Sequence, residues 1–273
     1  MKYWQVKKLK ETEFKRLTGV KKTFRVMVRT VKAYLKRKKK PGRKPKLIVE
    51  DHILIMLEYL REYRTYYHIS LTWKMSESNV CRIVHKIENI LIKSRQFRLP
   101  GKKELWKTNY QEEMVVMDVM ESQIERPKKR QKQFYSGKQR EHTLKRQIVI
   151  QQKTGQIVCL VNGKRKTHDF KLFKNSGVKF GTSIKVLADK GYQGIGKIHQ
   201  LSETPIKKKK GKKLSQEEKK YNRQLNRLRI TVEHINRRLK IFKILSYPYR
   251  NRGKRFGLRA NLIAGLHNYD LAN

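Results

Sequence analysis

Three acidic side chains hold positions from which they can bind a divalent metal ion. Asp118 and Asp189 each end an apolar run, and Glu233 lies within a segment of helical pattern, 227–243. Strand ends are where ligands of α/β sheets usually bind, and a helix packed nearby can supply a third carboxylate. Hard oxygen ligands of this kind favour Mg²⁺ or Mn²⁺ over zinc.

Three converging carboxylates can hold two metal ions ~4 Å apart. One ion activates a water or a 3′-hydroxyl for attack on phosphorus, and the other stabilises the leaving 3′-oxygen. Glu121, three residues after Asp118, is a possible fourth carboxylate. Each acid taken singly also fits an exposed loop, so the prediction depends on their convergence.

Helical spacing places Glu233 at the shoulder of a buried face. The apolar stripe of this segment comprises Val232, Ile235, Leu239 and Phe242. The neighbouring polar stripe comprises Arg229, Glu233, Asn236 and Lys240. At about 100° per residue the two stripes are centred roughly 110° apart. A solvated helix with i,i+4 ion pairs has the same spacing. If the shoulder faces the two aspartates, Arg229 and Lys240 are expected to neutralise flanking phosphates.

The charge balance predicts a polyanionic partner. The chain has 69 Lys+Arg against 22 Asp+Glu, a formal net charge of +47. Such a surface releases counterions on meeting phosphates, which drives salt-sensitive nucleic-acid binding. A ribosomal-type protein or one adapted to an acidic membrane surface would share this composition.

The remaining composition predicts an intracellular, soluble protein. No run approaches the ~20 apolar residues of a membrane span, and the N-terminus lacks the apolar region of a signal peptide. Cys81 and Cys159 form no CxxC pair and offer no zinc spacing, which indicates free thiols in a reducing compartment.

Residues 1–100 form a predicted helical region. Within it, 47–93 reads as three helices, the last two joined by a short turn, which is typical of a helix-turn-helix whose second helix enters the major groove. Its polar outer face is formed by Ser78, Asn79, Arg82 and Lys86. A helical hairpin that binds no DNA has the same pattern. Arg43 and Lys44 lie in a basic stretch that is either a minor-groove arm or a solvated linker.

Residues 101–273 form a predicted α/β domain. Apolar and alternating patterns predict strands at 114–118, 143–152, 156–161 and 184–188. Helices are predicted from 215 to about 245 and over 258–271. The sequence therefore predicts a mixed α/β domain that follows an all-α region and carries the three carboxylates.

Several motifs resemble those of transposases of the IS5 family of insertion sequences, which have a DDE catalytic domain. They run in order along nearly the whole chain and include Tyr135-Ser136-Gly137-Lys138, His168-Asp169, Asp189-Lys190-Gly191-Tyr192 and Arg229-Ile230-Thr231-Val232-Glu233-His234. Asp118, Asp189 and Glu233 match the DDE triad, and Arg229 and Lys240 match the basic residues around its glutamate. Asn226 stands where related elements carry tyrosine, and Val119 and Met120 replace a small residue and threonine.

The resemblance implies an RNase H-like mixed sheet flanked by helices. It also implies Mg²⁺-dependent DNA cleavage and strand transfer at terminal inverted repeats, with Mn²⁺ able to substitute. The expected partners are double-stranded DNA, as element ends and target, and a second copy of the chain in a synaptic complex. No membrane or small-molecule substrate is expected, and the location would be the bacterial cytoplasm, with the nucleoid. Two alternatives stay open: a non-catalytic or decayed transposase-derived DNA-binding protein, and a metal-dependent DNA nuclease without joining activity.

Overall fold

The structure, a computed structural model, describes residues 2–37, 45–107, 114–137, 140–164, 167–208, 211–251 and 253–272. The predicted arm residues Arg43 and Lys44 lie outside these ranges. The chain divides into two compact units. A helical unit comprises Met1–Arg98, Leu239–Tyr247 and Arg255–Asn273, and a sheet unit comprises Leu99–Arg238 and Pro248–Lys254. The sequence-based boundary near residue 100 did not anticipate that the C-terminal segments group with the helical unit.

In the described part of residues 2–98, the helical unit has the α-helices α1 to α6. They are α1 Tyr3–Val6, α2 Glu11–Thr18, α3 Thr23–Lys36, α4 Val49–Arg61, α5 Tyr66–Trp73 and α6 Glu77–Lys93. Helix α4 is apolar on most of its circumference, and its residues from Ile53 to Leu57 are almost completely buried. It therefore lies at the centre of this unit, as expected for a helix without a polar face.

The turn between α5 and α6 is tight. Lys74 ends α5 in the left-handed conformation, φ 51°, and Ser76 is the N-cap of α6 in an extended conformation. Thr65 begins α5, where its Oγ1 accepts a hydrogen bond from the His68 backbone N–H at 3.1 Å. Helix α6 buries one face, formed by Val80, Val84, Ile87 and Leu91. This helix–short turn–helix is the arrangement that the sequence predicts.

Among its described residues, the sheet unit has six strands and two α-helices. They are β1 Met114–Gln123, β2 Tyr135–Ser136, β3 Glu141–Gln151, β4 Ile157–Lys164, α7 Asp169–Ser176, β5 Lys185–Ala188, β6 Ser202–Glu203 and α8 Gln216–Lys240. The central strand β1 pairs antiparallel with β3 on one side and parallel with β5 on the other. Strand β3 also pairs with β2 and β4, and β5 pairs with β6. A last helix, α9 Phe256–Ala272, returns to the helical unit. The mixed sheet with flanking helices and the preceding all-α region confirm the predicted fold class.

One strand boundary differs from the prediction. The sequence suggests that β1 ends at Asp118, whereas the strand continues to Gln123. Residues 119–123 continue the antiparallel ladder, with Val119 opposite Gln147 and Gln123 opposite Thr143. The ladder extends because β3 offers partners along this whole length, which the local pattern of β1 alone does not reveal.

The two faces of β1 have different neighbours. Val115 and Met117 join the main apolar core of the unit, together with residues of β3, β4, β5 and α7. Since side chains alternate along a strand, Asp118 lies on the opposite face and Glu121 on the core face. Glu121 therefore does not join Asp118 as a fourth carboxylate. No helix in the described part of the chain is long and apolar enough to cross a membrane.

Candidate active site

Two parallel strands bring Asp118 and Asp189 to the same edge. The β1–β5 ladder ends at the pair Met117 and Ala188, so Asp118 is the next residue of β1 and Asp189 follows directly after the end of β5. Both side chains follow core-facing residues and consequently lie on the sheet face opposite the core. Asp118 thus occupies the carboxyl end of the parallel pair, although it lies in the middle of its antiparallel pairing with β3.

A buried arginine joins the two aspartates. Arg229 of α8 places Nη1 3.2 Å from Asp189 Oδ1 and Nη2 3.7 Å from Asp118 Oδ1. The Arg229 side chain is only 9% exposed, against 20% for Asp118 and 46% for Asp189. The sequence suggests Arg229 as a phosphate ligand, whereas here its guanidinium is the counter-ion of two carboxylates. Helix α8 therefore contributes a cation at the point where the two strands end.

A second residue of α8 holds Asp118. Asn236, two turns after Arg229, donates a hydrogen bond from Nδ2 to Asp118 Oδ2 at 3.0 Å. Burial raises the pKa of Asp118 to about 6, and the neighbouring Asp189 carboxylate adds to this rise. The Arg229 charge, the Val119 backbone N–H and the Asn236 amide oppose it by favouring the ionised form. Helical spacing predicts Asn236 on the polar stripe, and its hydrogen bond to Asp118 adds it to the site.

Glu233 lies one turn after Arg229 on the same helix. It is exposed, and it has no hydrogen bond or ion pair within the described part of the chain. It lines an open groove of about 580 Å³ along α8, together with Lys219, Arg223, Asn226 and Arg227. Among the described residues, no three His, Cys, Asp or Glu side chains form a group that could hold a metal ion. The structure thus brings Asp118 and Asp189 together, while a shared site with Glu233 stays a prediction.

The residues present suit a hard divalent cation. The carboxylates of Asp118 and Asp189 already lie close to one positive charge, that of Arg229. Oxygen atoms are the preferred ligands of Mg²⁺ and Mn²⁺. The buried Asn236 Oδ1 has no hydrogen-bond partner in the described part of the chain, although its amide nitrogen binds Asp118. Buried amide oxygens are normally satisfied, so this atom is a further oxygen donor beside the pair. Lys240 is the last residue of helix α8, and it is exposed.

A buried ion pair fixes the loop that follows Asp189. Lys145 Nζ lies 2.5 Å from Asp169 Oδ1, and the Lys145 side chain is 7% exposed. Gly191 packs against the same carboxylate so closely that a Cβ there would meet Asp169 Oδ2 at 2.4 Å. Tyr192 is fully buried, and its hydroxyl donates to Gln147 Oε1 at 3.3 Å. The His168-Asp169 motif gives no sign of this positioning role in the sequence, because the role depends on the tertiary contact with Gly191.

Replacing Asp118 by asparagine should stabilise the metal-free protein above about pH 6. The folded-state pKa of Asp118 is about 6, raised from 3.8, so folding favours the neutral carboxyl. That contribution is complete below the unfolded pKa and is lost as pH rises through the folded value. Asparagine is always neutral, so urea unfolding with EDTA should show a gain of up to about 3 kcal/mol at pH 8 and none near pH 4.

The control for this measurement is Glu125→Gln, at an exposed position just beyond β1. It should leave stability unchanged at both pH values. An Asp118→Asn variant no more stable than the unaltered protein at pH 8 would contradict the described environment of this carboxyl.

The predicted DNA-reading residues share one exposed face of α6. Ser78, Asn79, Arg82 and Lys86 are all exposed, and Asn79 Oδ1 accepts a hydrogen bond from Arg82 Nη1 at 3.2 Å. They lie opposite the buried stripe of the same helix. Their arrangement places polar and basic groups on the solvent-exposed side of α6, while their contacts with DNA stay a prediction.

Comparisons with known proteins agree with this architecture. A family model described as "DDE superfamily endonuclease" matches residues 117–268, and one described as "Helix-turn-helix of DDE superfamily endonuclease" matches residues 45–97. The chain is 67% identical over 273 residues to the probable transposase for insertion sequence element IS702 of Microchaete diplosiphon, covering 100% of this chain and 99% of that relative. No solved structure matches the chain. The second match confirms the helix-turn-helix predicted at 47–93, and with the first it shows that the chain belongs to the DDE superfamily endonucleases.

Proposed function

We propose that the chain is a DNA transposase that binds the terminal inverted repeats of its element and performs metal-dependent cleavage and strand transfer. The observation that carries this proposal is that Asp118 and Asp189, at the ends of two parallel strands, both lie close to the buried guanidinium of Arg229. Its support beyond the site is the 67% identity with a relative named as a probable transposase. The charge of +47 suits a partner rich in phosphate.

Asp118 and Asp189 would hold the metal, with Glu233 as the third carboxylate. Bound Mg²⁺ or Mn²⁺ would lower the pKa of a water or 3′-hydroxyl and neutralise charge on the leaving oxygen. Asn236 orients Asp118 by its hydrogen bond, and Arg229 keeps the two aspartates together until the cation replaces part of its charge. Glu233 is exposed and has no hydrogen bond or ion pair among the described residues, so its carboxylate would be available as a metal ligand.

A further set of polar and basic residues would bind and orient DNA. Ser78, Asn79, Arg82 and Lys86 would read the element end in the major groove, and Arg43 and Lys44 would enter the adjacent minor groove. Lys240 would neutralise phosphates near the cleaved bond, and Arg229 would do so once a bound metal ion takes over part of its pairing with the two aspartates. Synapsis of two ends calls for two copies of the chain, so a homodimer is the proposed working form. Such a protein would act in the cytoplasm, at the nucleoid.

One assay separates this function from its two alternatives. The DNA that flanks the gene is incubated with the purified protein and Mg²⁺ or Mn²⁺, together with a target plasmid. Joined products are expected for a transposase. Nicks without joining would indicate a metal-dependent nuclease, and retarded but intact DNA would indicate a DNA-binding protein derived from a transposase.

A further inference from the structure

A second pocket in the sheet unit combines an aromatic ring with two cations. It is an open pocket of about 420 Å³ beside β2, and it is lined by Arg126, Gln131, Lys132, Tyr135 and His142. None of these residues belongs to the acidic site or to the helix-turn-helix. An exposed aromatic side chain among basic residues is the composition of surfaces on which unpaired bases stack.

The aromatic ring is held in place by the strand pairing. Tyr135 of β2 lies opposite His142 of β3, and the two rings make an edge contact with centroids 5.5 Å apart. Tyr135 nevertheless remains 47% exposed. A ring fixed at its base and open to solvent offers a stacking surface at low entropic cost, because few of its rotamers remain to be lost.

The two cations are free to bind an anion. Arg126 uses Nε to donate to Gln131 Oε1 at 2.9 Å, which fixes the guanidinium and leaves its terminal nitrogens available. Neither Arg126 nor Lys132 forms an ion pair with a carboxylate in the part of the chain that the structure describes. Arginine and lysine in such positions are the usual phosphate ligands of proteins.

The pocket lies on the sheet face that carries Asp118. Asp118 is registered with Ile148 of β3, and His142 is on the same face of β3, six residues away. At ~3.4 Å per residue this separation is about 20 Å, or roughly six nucleotide steps of duplex DNA at 3.4 Å each. Arg146 and Ile148, which lie on this face between the two sites, are completely buried, so a DNA molecule that contacts both sites would span this distance without touching the strand between them.

We infer that this pocket binds one unpaired nucleotide of the DNA held at the acidic site. Its base stacks on Tyr135, and its flanking phosphates bind Arg126 and Lys132. Gln131 and His142 offer hydrogen-bonding groups to the edge of the base. The inference rests on the proposed function in one respect, namely that DNA is the ligand, and it requires neither cleavage nor joining.

The test compares single-stranded and duplex DNA on the full-length protein. Fluorescence anisotropy with EDTA present measures binding of a labelled oligothymidine and of a blunt duplex of the same length, over a series of salt concentrations. Tyr135→Ala should weaken single-strand binding by about 5- to 100-fold, as expected for one lost stacking contact. Its salt slope and its duplex affinity should not change, because stacking releases no counterions.

Two further variants and a control make the result specific. Tyr135→Phe keeps the ring and should bind like the unaltered protein, whereas Arg126→Ala should reduce the salt slope by about 0.7. Tyr34→Ala removes a comparably exposed tyrosine, 41% exposed, from α3 and should have no effect. Thermal unfolding verifies that each variant is folded.

The inference is overturned if Tyr135→Ala leaves single-strand binding unchanged or weakens both DNA forms equally. It is also overturned if Tyr135→Phe loses as much affinity as the alanine variant. A protein that neither nicks nor joins end DNA, yet shows the Tyr135 effect, would refute the proposed function alone. Normal joining without the Tyr135 effect would refute the pocket alone.

Discussion

Replacing Asp118 or Asp189 by alanine should lower metal-dependent cleavage of end DNA by about a thousandfold or more. Each substitution removes a carboxylate from the pair that meets at Arg229, and metal charge stabilisation of several kcal/mol corresponds to a rate loss of this size. DNA affinity should be retained or slightly increased, because one negative charge is removed. Cleavage kinetics and a gel-shift titration on the same preparations measure both quantities.

The matched control is Glu125→Ala, which removes an exposed acid outside the site and should cleave at the normal rate. Glu233→Gln tests the third carboxylate, which the structure leaves exposed in the α8 groove. It should lose activity like the aspartate variants. A Glu233→Gln protein that cleaves normally would remove Glu233 from the metal site without affecting the other two residues.

Replacing Arg259 by methionine should destabilise the helical unit by about 1.5–3 kcal/mol, the value of a lost hydrogen bond to a charged group. Arg259 is fully buried in α9, and its Nε donates to Glu88 Oε1 of α6 at 2.7 Å, with Glu88 itself completely buried. Arg259 also stacks over the Tyr59 ring, 4.8 Å from its centroid. Methionine keeps much of the volume but leaves the Glu88 carboxylate with Arg255 as its remaining cation, 2.8 Å away.

Urea unfolding followed by circular dichroism measures this loss. Lys32→Met is the control, because it breaks the ion pair between Lys32 and Glu50 in the same unit. The Lys32 side chain is 51% exposed. Exposed pairs contribute at most about 1 kcal/mol, so this variant should be nearly as stable as the unaltered protein. Equal losses of unfolding free energy for the two variants would show that the Arg259–Glu88 ion pair does not stabilise the unit as described.

Since Glu88 belongs to the proposed DNA-reading helix, Arg259→Met should also weaken binding of end DNA.

The sequence predicted those parts of the site that depend on local periodicity. The apolar run before Asp189 identified a strand that does end there, and helical spacing placed Arg229, Glu233 and Asn236 on one stripe of α8. The helix-turn-helix followed from the same 3.6-residue period. These features are encoded within single segments and need no knowledge of their partners.

The features that the sequence did not predict depend on partners distant in the chain. The continuation of β1 beyond Asp118 depends on its pairing with β3. The burial of Arg229 between two carboxylates and the hydrogen bond from Asn236 arise only when α8 packs on the sheet. The contact of Gly191 with Asp169 joins a loop to α7. Local propensity carries no information on such contacts, because tertiary packing determines them.

The central claim is that Asp118, Asp189 and Glu233 bind a divalent cation, and iron-directed backbone cleavage tests it most directly. Fe²⁺ replaces Mg²⁺ at oxygen sites, and with ascorbate and peroxide it generates hydroxyl radicals that cut the nearest main chain. We predict fragments that end near residues 118, 189 and 233, suppressed by excess Mg²⁺ and absent from an Asp118→Ala/Asp189→Ala variant. Cuts confined to other parts of the chain, or cuts near these residues that persist in that variant, would contradict the claim.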